Sequence, residues 1–359
     1  MTQQRTIYLT PPRISSAHIQ EKIVCIRAHR ERIFQVSTTF YNDKLICNNY
    51  GHGGAGWTFL FGCVNESLRQ FNEQCIMQPT LAKVPIAIIG AGCHGILTAI
   101  MLARQGHTAR IVAAETTAIP SYKAAGFFFP RARKSSTDQE RALFERLGME
   151  SYDTYRQITL KKHPFIVRGP QILPAYYGCD IDPGFAPYIE QGLMEQSELV
   201  TIDFGNGKRY QAMAYNTLFI NASIMMEELN NELKQLQIPI TQQTVTDFCQ
   251  VPERVIFNCA GRSAGSLAGD TRIVPVQGHL IVLKNQPDMS NMQYMINVKV
   301  VMTEPQGRMR DQLVYYAPKG SGILGITFIR GQDSLTANQH EFDRLLQRSM
   351  DFFGPYSVE

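Results

Sequence analysis

Residues 86–115 read IAIIGAGCHGILTAIMLARQGHTARIVAAE, and this stretch decides the fold. The apolar run Ile86 to Ile89 suits a buried parallel strand. Gly90, Gly92 and Gly95 follow at the G-x-G-x-x-G spacing of a dinucleotide-binding turn. Gly90 permits the tight turn, Gly92 lets a pyrophosphate approach the backbone, and Gly95 lets the next helix lie close on the strand. That helix runs to about Gln105 and ends at Gly106, and its N-terminal amides and positive dipole end face the phosphates. Ala109 to Ala114 form a second strand, closed by Glu115 where an acid hydrogen-bonds the adenosine ribose. Residues 86–103 are nearly uncharged and close to the minimum length of a membrane span. The glycines and the amphipathic strand that follows argue against one.

Outward from this unit, the chain has 359 residues and is 44% hydrophobic, enough for a large core and two domains sharing one site. A net charge of +4, with no basic run longer than RARK (131–134), gives no support for nucleic-acid or membrane binding. The cysteines at 25, 47, 63, 75, 93, 179, 249 and 259 show neither C-x-x-C pairs nor metal-ligand spacing. They read as reduced thiols, and no metal is expected. The opening MTQQRTIYLTPPR lacks an apolar signal core and the closing SVE is not a peroxisomal address, so a cytoplasmic location is expected.

A nucleotide fold usually begins with its strand and glycine turn, yet 85 residues precede this strand at Ile86. Within them, residues 16–47 hold short strand-like pieces that form a sheet edge. NYGHGGAGWTFLFGCVNESLRQF (49–71) is a glycine-rich turn running straight into a helix, which reads as a second cofactor-contacting turn. Residues 72–85 carry two prolines and read as a linker. Beyond Glu115, helices are expected over about 138–157, 219–236 and 337–352. Strands are expected at 240–248 and 255–261, and an antiparallel sheet from 273 to about 329.

Several separated segments resemble the FAD-dependent D-amino-acid oxidases and their glycine-oxidase-like relatives. IAIIGAGCHG is similar to the family's first strand and turn, and KAAGFFFP (123–130) to its flavin-contacting A-A-G-x-x-x-P segment. VIFNCAGRSAG resembles its second flavin strand, VPVQGHLIVLK the start of its catalytic sheet, and YYAPKGSGILGITF its substrate-tyrosine hairpin. CIRAHR (25–30) resembles G-x-R-P-x-R, and NNYGHGGAGWTFLFGC the closing flavin loop. In the family these last two lie at the C-terminal end, so their position here looks like a circular permutation. Residues 1–80 completing a neighbouring subunit is the alternative.

The resemblance implies an α/β fold with a Rossmann-like FAD-binding domain, residues 22–160 plus 213–268. A second, antiparallel-sheet substrate domain takes 161–212 and 269–359 with 1–21. It further implies that Arg27 grips a substrate carboxylate with its planar fork, that Tyr315 contacts the same carboxylate, and that the Gly54 carbonyl holds the amine. Gly90, Gly92, Gly95, Glu115, Ala124, Ala125, Gly126, Cys259, Gly261, Gly53, Ala55, Gly56, Trp57 and Thr58 would line noncovalently held FAD. The expected reaction is hydride transfer from the α-carbon of a D-amino acid, with a neutral or small side chain favoured, to flavin N5. Imino acid, then 2-oxo acid and ammonia, and hydrogen peroxide from oxygen are the products. A glycine/sarcosine-type oxidase, a flavin amino-acid dehydrogenase and an inactive FAD-binding protein are the alternatives, and a homodimer is compatible with all of them.

Some positions depart from the family pattern. Cys25 stands for its glycine, Ala28 for its proline, Pro120-Ser121 for two phosphate-holding threonines, and Asp311 for a second active-site tyrosine. Arg308, Arg310 and Arg330 are cations that could admit an acidic side chain, each more simply read as a solvated charge. His52 reads as part of the loop motif rather than a general base, and Cys63 as core rather than a flavin attachment point.

Overall fold

Two sheets, packed on one continuous apolar core, organise the chain in the computed structural model, which describes residues 5–131, 137–303 and 309–356. Arg133 and Lys134 of the basic run, Arg308 and the closing SVE lie outside the described residues, as do the side chains of Arg310 and Asp311.

The larger sheet contains β1 (Thr6–Tyr8), β2 (Ile19–Arg30), β7 (Pro170–Tyr177), β8 (Glu198–Asp203) and β9 (Arg209–Ile220). Its other members are β12 (Ile273–Leu283), β13 (Met295–Thr303), β14 (Met309–Ala317), β15 (Ile323–Gly325) and β16 (Ile329–Arg330). The smaller one contains β3 (Gln35–Tyr41), β4 (Lys44–Tyr50), β5 (Ile86–Ile89), β6 (Ala109–Ala113), β10 (Ile240–Gln242) and β11 (Val255–Asn258). It runs in the order β10-β6-β5-β11-β4-β3, parallel throughout except for the edge strand β3. Its central strands are the near-continuous apolar runs that two covered faces require.

The helices are α1 (Leu60–Met77), α2 (Cys93–Arg104), α3 (Pro120–Lys123), α4 (Asp138–Thr159), α5 (Ala186–Glu190), α6 (Ala222–Gln235), α7 (Ala264–Leu267) and α8 (Gln339–Phe353). A capping box between Thr137 and Glu140 starts α4.

Four local readings are corrected. Residues 72–77 continue α1 and Pro79–Lys83 form a 3-10 turn, in place of a linker. The helix buries Leu68 and Phe71, while its last turns are solvent-exposed, Ile76 and Met77 included, so the tail shows no buried apolar period of its own. β2 pairs along its length with β12 in the larger sheet, so residues 22–30 sit outside the nucleotide sheet. β9 carries residues 213–220 into the same larger sheet, and α6 starts only at Ala222, after the Asn221 side-chain cap. Only Ile240–Gln242 of 240–248 is strand, because Asp247 and Gln250 cap a tight turn instead.

The strand that matters most for the site is β4. It lies beside β11 opposite β5, with Asn48, Asn258 and Ile89 level, so residues before the glycine turn complete the nucleotide sheet of the same chain.

Candidate active site

The C-terminal ends of β5, β11 and β4 form one rim, the place where open parallel sheets hold ligands. Each strand exit is a glycine or cysteine turn fixed by its neighbour. Gly90 has φ +110°, and a Cβ there would sit 2.3 Å from the Cys259 carbonyl oxygen. A Cβ on Gly95 would lie 2.0 Å from the carbonyl oxygen of Gly90, so α2 can approach the strand only with glycine at this position. At Gly92 the backbone is open, since an added Cβ would meet only the Ser121 hydroxyl at 3.3 Å. That hydroxyl accepts from the Cys93 amide at 3.1 Å, so Ser121 serves the start of α2 where the family's threonines are missing. Gly261, φ +58°, follows Cys259 into open space.

Glu115 follows β6, two residues beyond Ala113, and is exposed to solvent. One of its oxygens accepts from the amides of Thr116, Thr117 and Ala118 and from the Thr117 hydroxyl, and these backbone donors hold the carboxyl down to about 2.

The loop after β4 is tied to the rest of the rim. Gly53 donates to the Ala28 carbonyl at 2.8 Å. The Trp57 indole donates to the Ser121 carbonyl at 3.0 Å, and the Thr58 hydroxyl accepts from the Phe129 amide at 3.3 Å. Lys319, from the turn after β14, donates to the Tyr122 and Ala124 carbonyls at 2.6 and 2.9 Å. Burial lowers its ammonium to about 8. Ala125 is buried, and the Gly126 carbonyl accepts from Ile220 at 2.7 Å. Residues from 53–58, 90–95, 121–126 and 259–261 are thus tied together at this rim, where Gly92 and Gly261 leave the bare backbone that a pyrophosphate needs for close approach.

Against the loop 53–58 gathers a second group of side chains, on the larger sheet. Arg27 is 8% exposed, and its Nη1 donates to the Thr327 carbonyl at 3.0 Å while Nη2 has no hydrogen-bond partner among the described residues. The guanidinium occupies the space a side chain on Gly278 would need, 2.1 Å from an ideal Cβ to Nη2. It also lies 4.7 Å from the ring centre of Phe328, which is 62% exposed. Burial lowers its proton affinity, countered by Cys25 and Tyr315. Tyr315 is buried and stacks on Phe127 at 4.1 Å, and burial raises its hydroxyl well above the ordinary tyrosine value. Gly54, φ +106°, faces the same arginine, whose Cδ would be 2.9 Å from a Cβ there. Arg330, by contrast, is exposed and paired with Glu31.

His52 stacks between Phe34 at 4.8 Å and His94 at 4.0 Å, and burial holds both imidazoles neutral. With Cys63 they place possible metal-ligand atoms within 4.8 Å of one another, a grouping that sequence spacing hid. The imidazole planes are only 19° apart, so their lone pairs do not converge on one ion as placed.

Phe127, Gly278, Thr327 and Phe328 lie within the family-like segments quoted above but are not singled out there as site residues.

The family model described as FAD dependent oxidoreductase matches residues 85–358. The chain belongs to this family. FAD is therefore its cofactor, and its class is that of the D-amino-acid-oxidase-like flavoproteins. A D-amino-acid oxidase of Streptomyces coelicolor is 25% identical over 201 residues, 56% of this chain and 59% of that protein. One of Dictyostelium discoideum is 25% identical over 227 residues, 58% and 60% of the two chains. The chain thus spans about six tenths of the length of the curated relatives it matches. The glycine oxidase of Bacillus cereus shares the fold, with a TM-score of 0.54 and 18% identity over 74% of this chain and 79% of that one. Among the described residues no helix is long and apolar enough to cross a membrane.

Proposed function

We propose that this flavoprotein oxidises a D-amino acid with a neutral or small side chain to the imino acid, which water converts to the 2-oxo acid and ammonia, with oxygen reduced to hydrogen peroxide. The single observation that carries the reading is the free Nη2 of Arg27. A buried guanidinium with only one bond to a carbonyl is an uncompensated charge, and a planar carboxylate is the partner its fork fits. The Tyr315 hydroxyl, kept protonated by burial, is a second donor for the same carboxylate.

With the carboxylate held there, Gly54 on the facing loop offers a backbone carbonyl to the substrate amine. Such two-point holding fixes the α-carbon and presents its hydrogen in one direction, which is the orientation effect enzymes rely on. The chemistry FAD supplies when bound is a two-electron acceptor for that hydrogen and a donor to oxygen. Gly90, Gly92, Gly95, Glu115, Ala124, Ala125, Gly126, Cys259, Gly261, Gly53, Ala55, Gly56, Trp57 and Thr58 would hold it. His52 stays neutral inside its ring stack and takes no proton.

The order of the segments is itself part of the proposal. The family match begins at residue 85, while the loop 49–58 reaches the rim from the other end of the chain. A circular permutation accounts for both, with the FAD-binding and substrate domains built from discontinuous segments.

The test is the visible spectrum of the anaerobic protein before and after D- and L-amino acids. Flavin bands bleached by D-amino acids alone are expected. Bleaching by glycine or an N-methyl amine alone would move the reading to a glycine/sarcosine-type oxidase, and bands that no amine bleaches would overturn it.

A further inference from the structure

Cys25 lies on β2 two residues before Arg27, so both side chains leave the same face of the strand. Directly across the ladder from Cys25 is Gly278. Cross-strand partners project to one side with Cβ atoms roughly 5 Å apart. The space above Gly278 is where the Arg27 guanidinium sits, Nη2 foremost. The thiol and the unpartnered nitrogen therefore share one small volume, the volume in which a substrate carboxylate would lie. Arg27 is more than nine-tenths buried and aims its free donor there. The thiolate is the form of a cysteine that attacks peroxides.

We propose that Cys25 is a peroxide-modified thiol of the carboxylate pocket, and that its sulfenic acid places an oxygen on Arg27 Nη2 and shuts the pocket to substrate. In the step, the Cys25 thiolate attacks one oxygen of hydrogen peroxide. An S–O bond forms, the O–O bond breaks, sulfur loses two electrons, and the departing hydroxide takes up the thiol's proton to leave as water. The source of peroxide rests on the function proposed above, whereas the placement of Cys25 beside Arg27 does not. A sulfenic acid is reversed by added thiol, so the closure is a product-driven and recoverable brake.

The test uses the full FAD-loaded chain with added hydrogen peroxide and dimedone, read as adducts at each cysteine by mass spectrometry. Cys179 and Cys249 are exposed and report that peroxide and probe have acted. Cys47 and Cys63, fully buried, set the background. Cys25 is expected to label about tenfold faster than that background. Saturating propionate, a simple carboxylate, should slow the labelling, and Arg27→Gln should slow it as well. As a second measurement on the unaltered protein, iodoacetate should alkylate Cys25 faster than neutral iodoacetamide does. Labelled Cys179 and Cys249 with unlabelled Cys25, or a Cys25 rate indifferent to propionate and to the charge of the alkylating agent, would overturn the proposal. Because the peroxide is added, a protein that turns over no amino acid still gives a clear answer, and the two proposals fail separately.

Discussion

Arg27 and Arg30 stand three residues apart on β2, on opposite faces, both buried, and they do opposite things. Arg30 is answered from within the fold. Its Nε meets Asp270 at 2.5 Å, its Nη1 donates to the Ile33 carbonyl at 2.7 Å, and the Tyr50 hydroxyl donates to the same carboxylate at 3.1 Å. Arg27 is answered by one carbonyl, an aromatic face and the neighbouring Cys25 thiol, and among the described residues no carboxylate pairs with it. Lys319 stands between the two, held by two carbonyls and no carboxylate. The contrast separates a cation that holds the fold together from one that waits for a ligand.

Breaking the paired arginine should have the largest effect on folding. Arg30→Met removes the buried partner of the Asp270 carboxylate, which keeps Arg272 and the Tyr50 hydroxyl, and a cost of about 2 kcal/mol is expected in chemical denaturation. Carboxylate affinity per folded molecule should change little. Arg27→Gln reverses the pattern. It removes two charge-assisted bonds to a carboxylate, so kcat/KM should fall about 100-fold, while the flavin spectrum and melting temperature persist. If Arg27→Gln destabilised as much as Arg30→Met, the distinction between the two faces would collapse.

A finer probe is Gly278→Ala. The new Cβ would fall 2.1 Å from Nη2, so the guanidinium must swing out of the pocket. Carboxylate binding should weaken by about tenfold, measured by titration against unchanged FAD content. Lys319 gives a pH signature. Its folded value of about 8 lies below that of the unfolded chain, so from pH 8 upward the unfolded chain binds a proton the folded one lacks. Stability should rise across this window, and denaturation of wild type and Lys319→Met at either end should show the rise only in wild type. The smallest effect belongs to Phe328→Ala, which removes an exposed ring from the guanidinium. Two- to fivefold weaker carboxylate binding is expected, about 0.5–1 kcal/mol.

The two halves of the site were legible to different degrees. The rim is built from backbone, and backbone geometry restricts which residues stand where. Gly90 needs a positive φ and Gly95 a bare Cα, so their spacing is visible in one dimension. The pocket is built from side chains brought together across sheet ladders. Thr327 and Phe328 meet Arg27 only because β2 pairs with β12 and β12 with β15, and no local pattern encodes that chain of pairings. The same reason puts β2, expected within the FAD-binding domain, into the larger sheet. Its short apolar run IVCI states that it is a strand and leaves its partner open. The length of α1 was missed for another reason, since a helix tail with a solvated face lacks the period by which helices are read.

The most direct test of the central claim, that Arg27 is a cation held ready for a carboxylate, is calorimetric titration of the FAD-loaded protein with propionate, wild type against Arg27→Gln. Saturable binding to wild type that vanishes in the variant is the predicted result. Equal binding to both, or none to either, would contradict the account.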